Sequence, residues 1–433
     1  MLKAGFARIE ATPPFGADLA GYFYRRLAKG ILDPLYLNAV AISNEEKTVL
    51  LISADYIGIK LEANLEIRKL ISERTGVATD HILLAALHQH TSCAIDKNRA
   101  SGLKDEEFKN VLFRKFADVA QMAIDDLREA KMGCAAKETA EPIAFVRRYF
   151  ADDGSVHTNP NTAKINIVKR CDEADNNVRV IRFAREGAKD IAIVNFATHP
   201  DVIGGESFSA DWLGHTRRYV EADNEDVSCI VFTGTQGDSN HIDFFKPTDK
   251  RYKGTRYEHS KYMGRTIADA VRDVWNGIEL SDKSDIYSET TTIYNKTNTE
   301  GIDDYDKYKA WYSDYEAGKL DYKPHITELA YASRIVRLRN APILRPVPLT
   351  IVSFGDAVVV GFGGEAFTAY GAAVRALVPD KFVLTAVCAN GYEGYFPTEK
   401  AFAEGGYEAK SSLFTSTLER EIISALDVML KKI

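Results

Sequence analysis

Short runs of branched and apolar residues, broken by polar or glycine-bearing stretches, divide the chain into alternating strand-like and helix-like segments. Strands are predicted at Thr48 to Asp55, His81 to Leu87, Val178 to Phe183, Ile191 to Phe196, Cys229 to Thr233, Val347 to Phe354 and Ala357 to Phe362. Between several of them the apolar period lengthens. Ile67, Leu70 and Ile71 recur at helical spacing with Gly76 as a stop, and Phe108 to Leu127, Tyr262 to Trp275 and Leu413 to Leu430 read as longer amphipathic helices. The alternation predicts a mixed α/β chain. No repeat of solenoid or propeller period and no Pro-, Gly- or Ser-rich linker interrupts it, so residues 1–433 are read as a single domain.

One compositional shift stands out within a helical insertion at 300–340. Tyr305, Tyr308, Tyr312 and Tyr315 share roughly one helical face among charged residues. Such a stripe either packs on the body of the domain or forms a lid or wall against a sugar or lipid.

Composition narrows the class. A chain of 433 residues that is 45% hydrophobic can bury a sizeable core. Its 55 basic and 62 acidic side chains give a net charge of −7, with no long basic block to track a phosphate backbone, so nucleic acid is not an expected partner. No run approaches ~18 apolar residues, which argues against an integral membrane segment. The opening MLKAGFARIEATPPFG lacks the features of a secretory signal, so a cytoplasmic protein acting on a small-molecule substrate is expected. Cys93, Cys134, Cys171, Cys229 and Cys388 are odd in number, scattered and without a Cys-x-x-Cys pair, as in ordinary reduced cysteines.

The candidate chemistry sits where apolar strands end. Leu83 to Leu87 runs into His88-Gln89-His90-Thr91, and the two-residue period of a strand predicts that His88 and His90 share a face. Alone, a His-x-His serves either a metal or a polar sheet edge. Ile191 to Ala197 delivers a second such ending, Thr198-His199-Pro200, followed by the loop Asp201 to Gly205. Ala357 to Phe362 ends in Gly363-Gly364-Glu365, placing a carboxylate where a helix is expected to begin. There it either complements the helix dipole or joins the imidazoles as a ligand. Neutral imidazoles plus one carboxylate form a set that borderline Zn²⁺ accepts while keeping an open position. A fourth strand passes into Gly237-Asp238-Ser239-Asn240-His241, where Asp238 either orients a metal-bound histidine or closes an Asx turn.

Taken in order, these motifs resemble the catalytic domain of neutral ceramidases and their bacterial neutral/alkaline relatives. The resemblance runs from Gly5-Phe6-Ala7, Thr12-Pro13 and Gly21-Tyr22 through His88-Gln89-His90, Asn159-Pro160, Asn195 to His199 and Ser209-Ala210-Asp211-Trp212. It continues through Gly237-Asp238, Gly364-Glu365, Asn390 to Tyr395 and Gly406-Tyr407-Glu408. What it implies is one Zn²⁺ per chain on His88, His199, Glu365 and Tyr395, with His90 beside the metal. His90, Tyr395, Asp238 and Ser239 would form the catalytic set and Arg148, Asn159, Tyr392 and Tyr407 the substrate contacts, with Asp211 and Asp238 behind the ligands. Three departures bear on substrate. Thr91-Ser92-Cys93-Ala94 replaces the usual Ser followed by a Gly/Pro-rich turn. Ser239 directly follows Asp238, leaving Asn240 where the family's serine is expected. The chain ends with the helix Leu413 to Leu430 where ceramidases carry a further β-sandwich.

The expected chemistry is hydrolysis of an amide or ester by metal-activated water, with a ceramide-like N-acyl amide as the class implied by family. Two readings remain beside it: a carbohydrate-directed hydrolase or esterase on the same zinc site, and a metal-stabilised binding protein without turnover. Mn²⁺, Fe²⁺ and Ni²⁺ compete with zinc for such a ligand set.

Overall fold

The computed structural model describes residues 1–96 and 105–433. Its larger sheet has eight strands in the order Val227–Thr233, Asp190–Phe196, Asn177–Arg185, Arg128–Glu138, Lys3–Glu10, Tyr36–Ser43, Thr48–Ala54 and Ile82–Ala86. Its neighbours are antiparallel except at the two ends, where Asp190–Phe196 pairs parallel with Val227–Thr233 and Thr48–Ala54 pairs parallel with Ile82–Ala86. Parallel neighbours need a crossover, and helices Asp211–Asp223 and Leu61–Thr75 supply them. A second sheet, ordered Ile286–Lys296, Leu344–Phe354, Ala357–Phe362 and Phe382–Ala386, repeats the device: its last pair is parallel and helix Thr368–Leu377 lies between the two strands.

Alternation decides how the layers stack. Along Thr48–Ala54, Val49 and Leu51 join Val352, Val359 and Leu384 of the second sheet in one buried cluster, while Leu50, Ile52 and Ala54 join Ile67 and Phe116 of the covering helices. Both faces of the strand are therefore apolar, as expected where a sheet is covered on each side. On the second sheet's outer face, Ile351, Val358 and Val360 pack with Val374 and with Leu418, Ile422 and Leu426 of helix Leu418–Leu430. Helices Asp211–Asp223 and Arg256–Trp275 cover the other end of the large sheet through Leu213, Val220, Met263 and Ile267. The result is two sheets face to face with helices outside each.

Two asparagines join the sheets. Asn195 donates to the carbonyls of Phe232 and Thr385, each at 2.8 Å, so one amide spans both layers. Asn390 donates to Ile82 O (3.0 Å) and Thr350 Oγ1 (2.8 Å) and accepts from Leu84 N (2.9 Å). It adopts a left-handed φ of 55°, which Asn tolerates better than most residues.

Element boundaries depart from the sequence expectation where local hydrogen bonds outweigh the apolar period. The helix expected from Tyr262 starts at Arg256, because Thr255 and Glu258 form a reciprocal capping box. The helix expected from Leu413 starts at Leu418, because Thr415 and Thr417 are occupied by Asn295. Helices Tyr305–Glu316 and Ile326–Leu338 lie between strands Ile286–Lys296 and Leu344–Phe354. Tyr308 meets Tyr331 edge-on at 5.3 Å, and none of the aromatic helix's side chains is fully buried. Among the described residues, no helix is long and apolar enough to cross a membrane.

The charge that shapes the His88 loop from behind is Asp55. It is fully buried and receives both terminal nitrogens of Arg217 (2.9 and 2.6 Å), the Gln89 amide (2.9 Å) and Tyr36 N (2.8 Å). Removing one partner of such a pair leaves an uncompensated buried charge. Arg217→Met is expected to cost about 3–5 kcal/mol, read from the urea midpoint.

Candidate active site

The carboxyl ends of three parallel-paired strands converge, and each carries a ligand-type residue two or three positions beyond its last strand residue. His88 follows Ile82–Ala86, His199 follows Asp190–Phe196 and Glu365 follows Ala357–Phe362. His88 Nε2 and His199 Nε2 each lie 3.2 Å from the same oxygen, Glu365 Oε2. All three side chains are essentially buried.

The tautomers follow from the second ring nitrogens. His88 Nδ1 faces the Ile57 carbonyl at 2.8 Å, and His199 Nδ1 faces the carbonyls of Gln236 (2.8 Å) and Ser239 (3.1 Å). A carbonyl only accepts, so the proton of each neutral ring is on Nδ1 and the Nε2 lone pair points inward. Two lone pairs then face a carboxylate oxygen, an arrangement that calls for a cation. Without one it draws a proton: Glu365 overrides the opposing effect of burial and holds His88 well above the usual histidine range. Burial and the Arg147 charge push His199 down to about 3. Glu365 Oε2, His199 Nε2 and both ring nitrogens of His90 make no hydrogen bond. Orphaned buried acceptors of this kind fit a metal ion, and His88, His90 and His199 present ligand atoms within 4.8 Å of one another.

The route by which His88 and His90 meet differs from the expected one. The strand stops at Ala86, and His88 takes a left-handed φ of 73°, so a turn rather than strand alternation brings the rings to 5.2 Å between centroids. Leu87 N and His88 N instead bond the carbonyls of Ala54 and Tyr56, drawing the loop over the neighbouring strand. His90 is nearly buried; its Nδ1 lies 3.5 Å from Asp201 Oδ1, which also accepts from the Tyr22 hydroxyl. A Cβ on Gly21, at φ +98°, would fall 2.6 Å from the His90 ring, so the Gly21-Tyr22 pair is set by the approach of this imidazole.

Glu365 does not open a helix. It pairs with Tyr395 in a short parallel bridge, Glu365–Ala366 against Tyr395–Phe396, and the helix begins at Thr368. Tyr392 donates to Glu365 Oε1 at 3.1 Å. Tyr395 lies beside His199, with ring centroids at 6.3 Å, and its hydroxyl accepts from Arg147 Nη2 at 3.1 Å. Burial and the nearby Glu365 carboxylate raise the Tyr395 phenol well above its ordinary range, against the lowering effect of Arg147. Tyr407 meets Tyr395 edge-on at 5.5 Å.

The remaining expected residues surround this centre. Asp238 accepts from the Thr368 amide and hydroxyl, both at 2.8 Å, and so anchors the helix rather than bonding a histidine. Ser239 gives its hydroxyl to Ala197 O at 3.2 Å, and its carbonyl is what meets His199. Asn159 bonds Asn240 at 2.8 Å. Arg148 is turned into a buried cluster with Glu404, Glu408 and the Gly405 carbonyl. Asp211 holds the loop after His199 by accepting from the amides of Val202 (2.9 Å) and Ile203 (3.0 Å).

Sequence reasoning passed over Arg147, the neighbour of Arg148. Its guanidinium is buried, held by Glu408 Oε1 (2.8 Å) and the Gly237 carbonyl (2.9 Å), and aimed at Tyr395. The paired arginines were visible, but which one faces the histidines depends on the break between strands Phe145–Val146 and Arg148–Ala151. Asp201 and Tyr22 carried no role in the sequence reading either.

This is a neutral ceramidase-like fold. The crystal structure of neutral ceramidase from Pseudomonas aeruginosa superposes with a TM-score of 0.73 at 14% identity, covering 100% of this chain and 74% of that one. A second structure, a ceramidase complexed with C2, gives 0.70 at 14% identity, covering 100% and 75%. No family profile matches the sequence, and no curated relative does.

Burial lifts the Asp211 carboxyl from 3.8 to about 6. A raised folded-state pKa means that its stabilising contribution is complete below the unfolded value and is lost as pH rises through the folded one. Relative to Asp211→Asn, the wild type should therefore lose up to about 3 kcal/mol between pH 4 and 7, measured by urea denaturation at each pH.

Proposed function

We propose that the chain is a zinc-dependent hydrolase of amide or ester bonds, with the ion held by His88, His199, Glu365 and Tyr395. The observation that carries this reading is the convergence of two inward Nε2 atoms on Glu365 Oε2 at 3.2 Å, with His199 Nε2 and Glu365 Oε2 left without a hydrogen bond. A Zn²⁺ ion there supplies Lewis acidity, acidifying water at neutral pH and polarising a carbonyl. Water adds its oxygen to the acyl carbon, the bond to the amine or alkoxide breaks, and the leaving group takes up a proton.

The chain's own residues do the rest. His90 is nearly buried beside His88 with both ring nitrogens free of hydrogen bonds, so its neutral ring presents a lone pair that can accept a proton. Asp201, 3.5 Å from His90 Nδ1, orients the ring. Arg147 places a buried positive charge against the Tyr395 hydroxyl, which supports that oxygen as a ligand or as a donor to a developing oxyanion. Tyr392 fixes the Glu365 carboxylate from its other oxygen. The fold likeness to ceramidases, together with this centre, favours an N-acyl amide as substrate class.

About one zinc per chain by elemental analysis is expected, lost in the double variant His88→Ala, His199→Ala. A wild type that stays metal-free with zinc supplied sinks the proposal. His90→Ala should keep its zinc and lose turnover on amide and ester panels by roughly 10²–10³-fold; normal turnover in that variant removes His90 from the mechanism.

A further inference from the structure

A cavity of about 480 Å³ opens beside the histidine centre, within the size range of small-molecule sites. Tyr22, Tyr24 and Tyr257 form aromatic wall, Leu32 adds apolar surface, and Thr255 and Arg256 supply the polar groups. Tyr22 is shared between cavity and centre. Its ring lies 5.4 Å from that of His90, and its hydroxyl bonds Asp201. Tyr22 and Tyr24 stack at 5.5 Å, and Arg26 braces Tyr22 from 4.0 Å, so the wall is preformed. The Tyr315 phenol of the aromatic helix lies within electrostatic reach of Tyr24.

Arg256 is the cavity's one charged lining residue among those described. Its guanidinium lies 5.6 Å from the Tyr252 ring centroid and forms no ion pair among the described residues. The carboxylates around the cavity are otherwise engaged: Asp33 by Arg218, Ser209 and Tyr257, Glu206 by Lys29, and Asp201 by Tyr22. Gly204 leaves the approach open, since a Cβ there would meet Arg256 Nη1 at 3.3 Å.

We propose that this cavity is a substrate subsite for a group that carries a free carboxylate, read by Arg256, on a flat or ring-bearing body laid against Tyr22, Tyr24 and Tyr257. It rests on the hydrolase reading for its link to turnover, and it makes the substrate an acidic N-acyl compound or sugar acid derivative rather than a neutral lipid amide. A guanidinium that makes no close ion pair among the described residues, and feels Asp201 only at longer range, is suited to this chemistry beside an aromatic wall, because charge-assisted bonding to a carboxylate is stronger than bonding to the isosteric amide.

The test is isothermal titration of the full chain with two matched pairs: N-acetylphenylalanine against N-acetylphenylalaninamide, and glucuronate against glucose. One carboxylate should bind roughly tenfold more tightly than its neutral partner, and Arg256→Gln should erase that difference. The pair that shows the preference identifies whether the body is an amino acid or a sugar. Equal affinity within both pairs, or no binding of either acid, overturns the proposal. Zinc content and an amide and ester panel on the same protein separate the two readings. Hydrolysis without carboxylate preference overturns the subsite alone, whereas preference without zinc or hydrolysis supports the subsite and overturns the hydrolase.

Discussion

Three acceptor atoms pointed at one another in a buried space form the constraint around which the site is organised. His88 Nε2, His199 Nε2 and Glu365 Oε2 come from three separate strand ends. Backbone carbonyls of Ile57, Gln236 and Ser239 lock each imidazole from behind, so the convergence draws a cation or a proton between its members. Further contacts immobilise the loops around the centre: Gln89 by Asp55, Asp238 by Thr368, and Val202 and Ile203 by Asp211.

The topology explains why the convergence falls where it does. In each sheet the regular antiparallel order gives way to a parallel pair, and the ligand-type residues lie just beyond the carboxyl ends of such pairs. This is the general location of sites in open sheets with crossover helices. Here two sheets contribute, so the site lies on the seam between layers rather than at the crevice of a single sheet.

What the sequence revealed and what it withheld divide along the same line. Apolar strand runs ending in His88, His199 and Glu365 were legible because each motif is local. The mixed α/β class followed from the alternation of periods. The left-handed turn at His88 was not legible, because it accompanies hydrogen bonds to Ala54, the end of another strand, and to Tyr56 in the loop beyond it. Nor could the chain distinguish Arg147 from Arg148: both are buried and both bond Glu408, and only the third dimension shows one of them reaching Tyr395. Asp238 illustrates the limit of a motif. Its position beside the centre was expected from the glycine turn, but its carboxylate is committed to a helix that lies 130 residues away in sequence.

The asparagines that cross between the sheets give the centre and the cavity different evolutionary freedom. Asn195 and Asn390 tie the layers within a few residues of His199 and Tyr395, so drift in either layer would be felt at both side chains. Tyr22, Tyr24, Leu32 and Arg256 belong to none of these cross-layer ties and border open space. Tyr24, Leu32 and Arg256 can therefore be exchanged with little strain on the layers, whereas Tyr22, which touches His90 and bonds Asp201, couples the cavity wall to the centre.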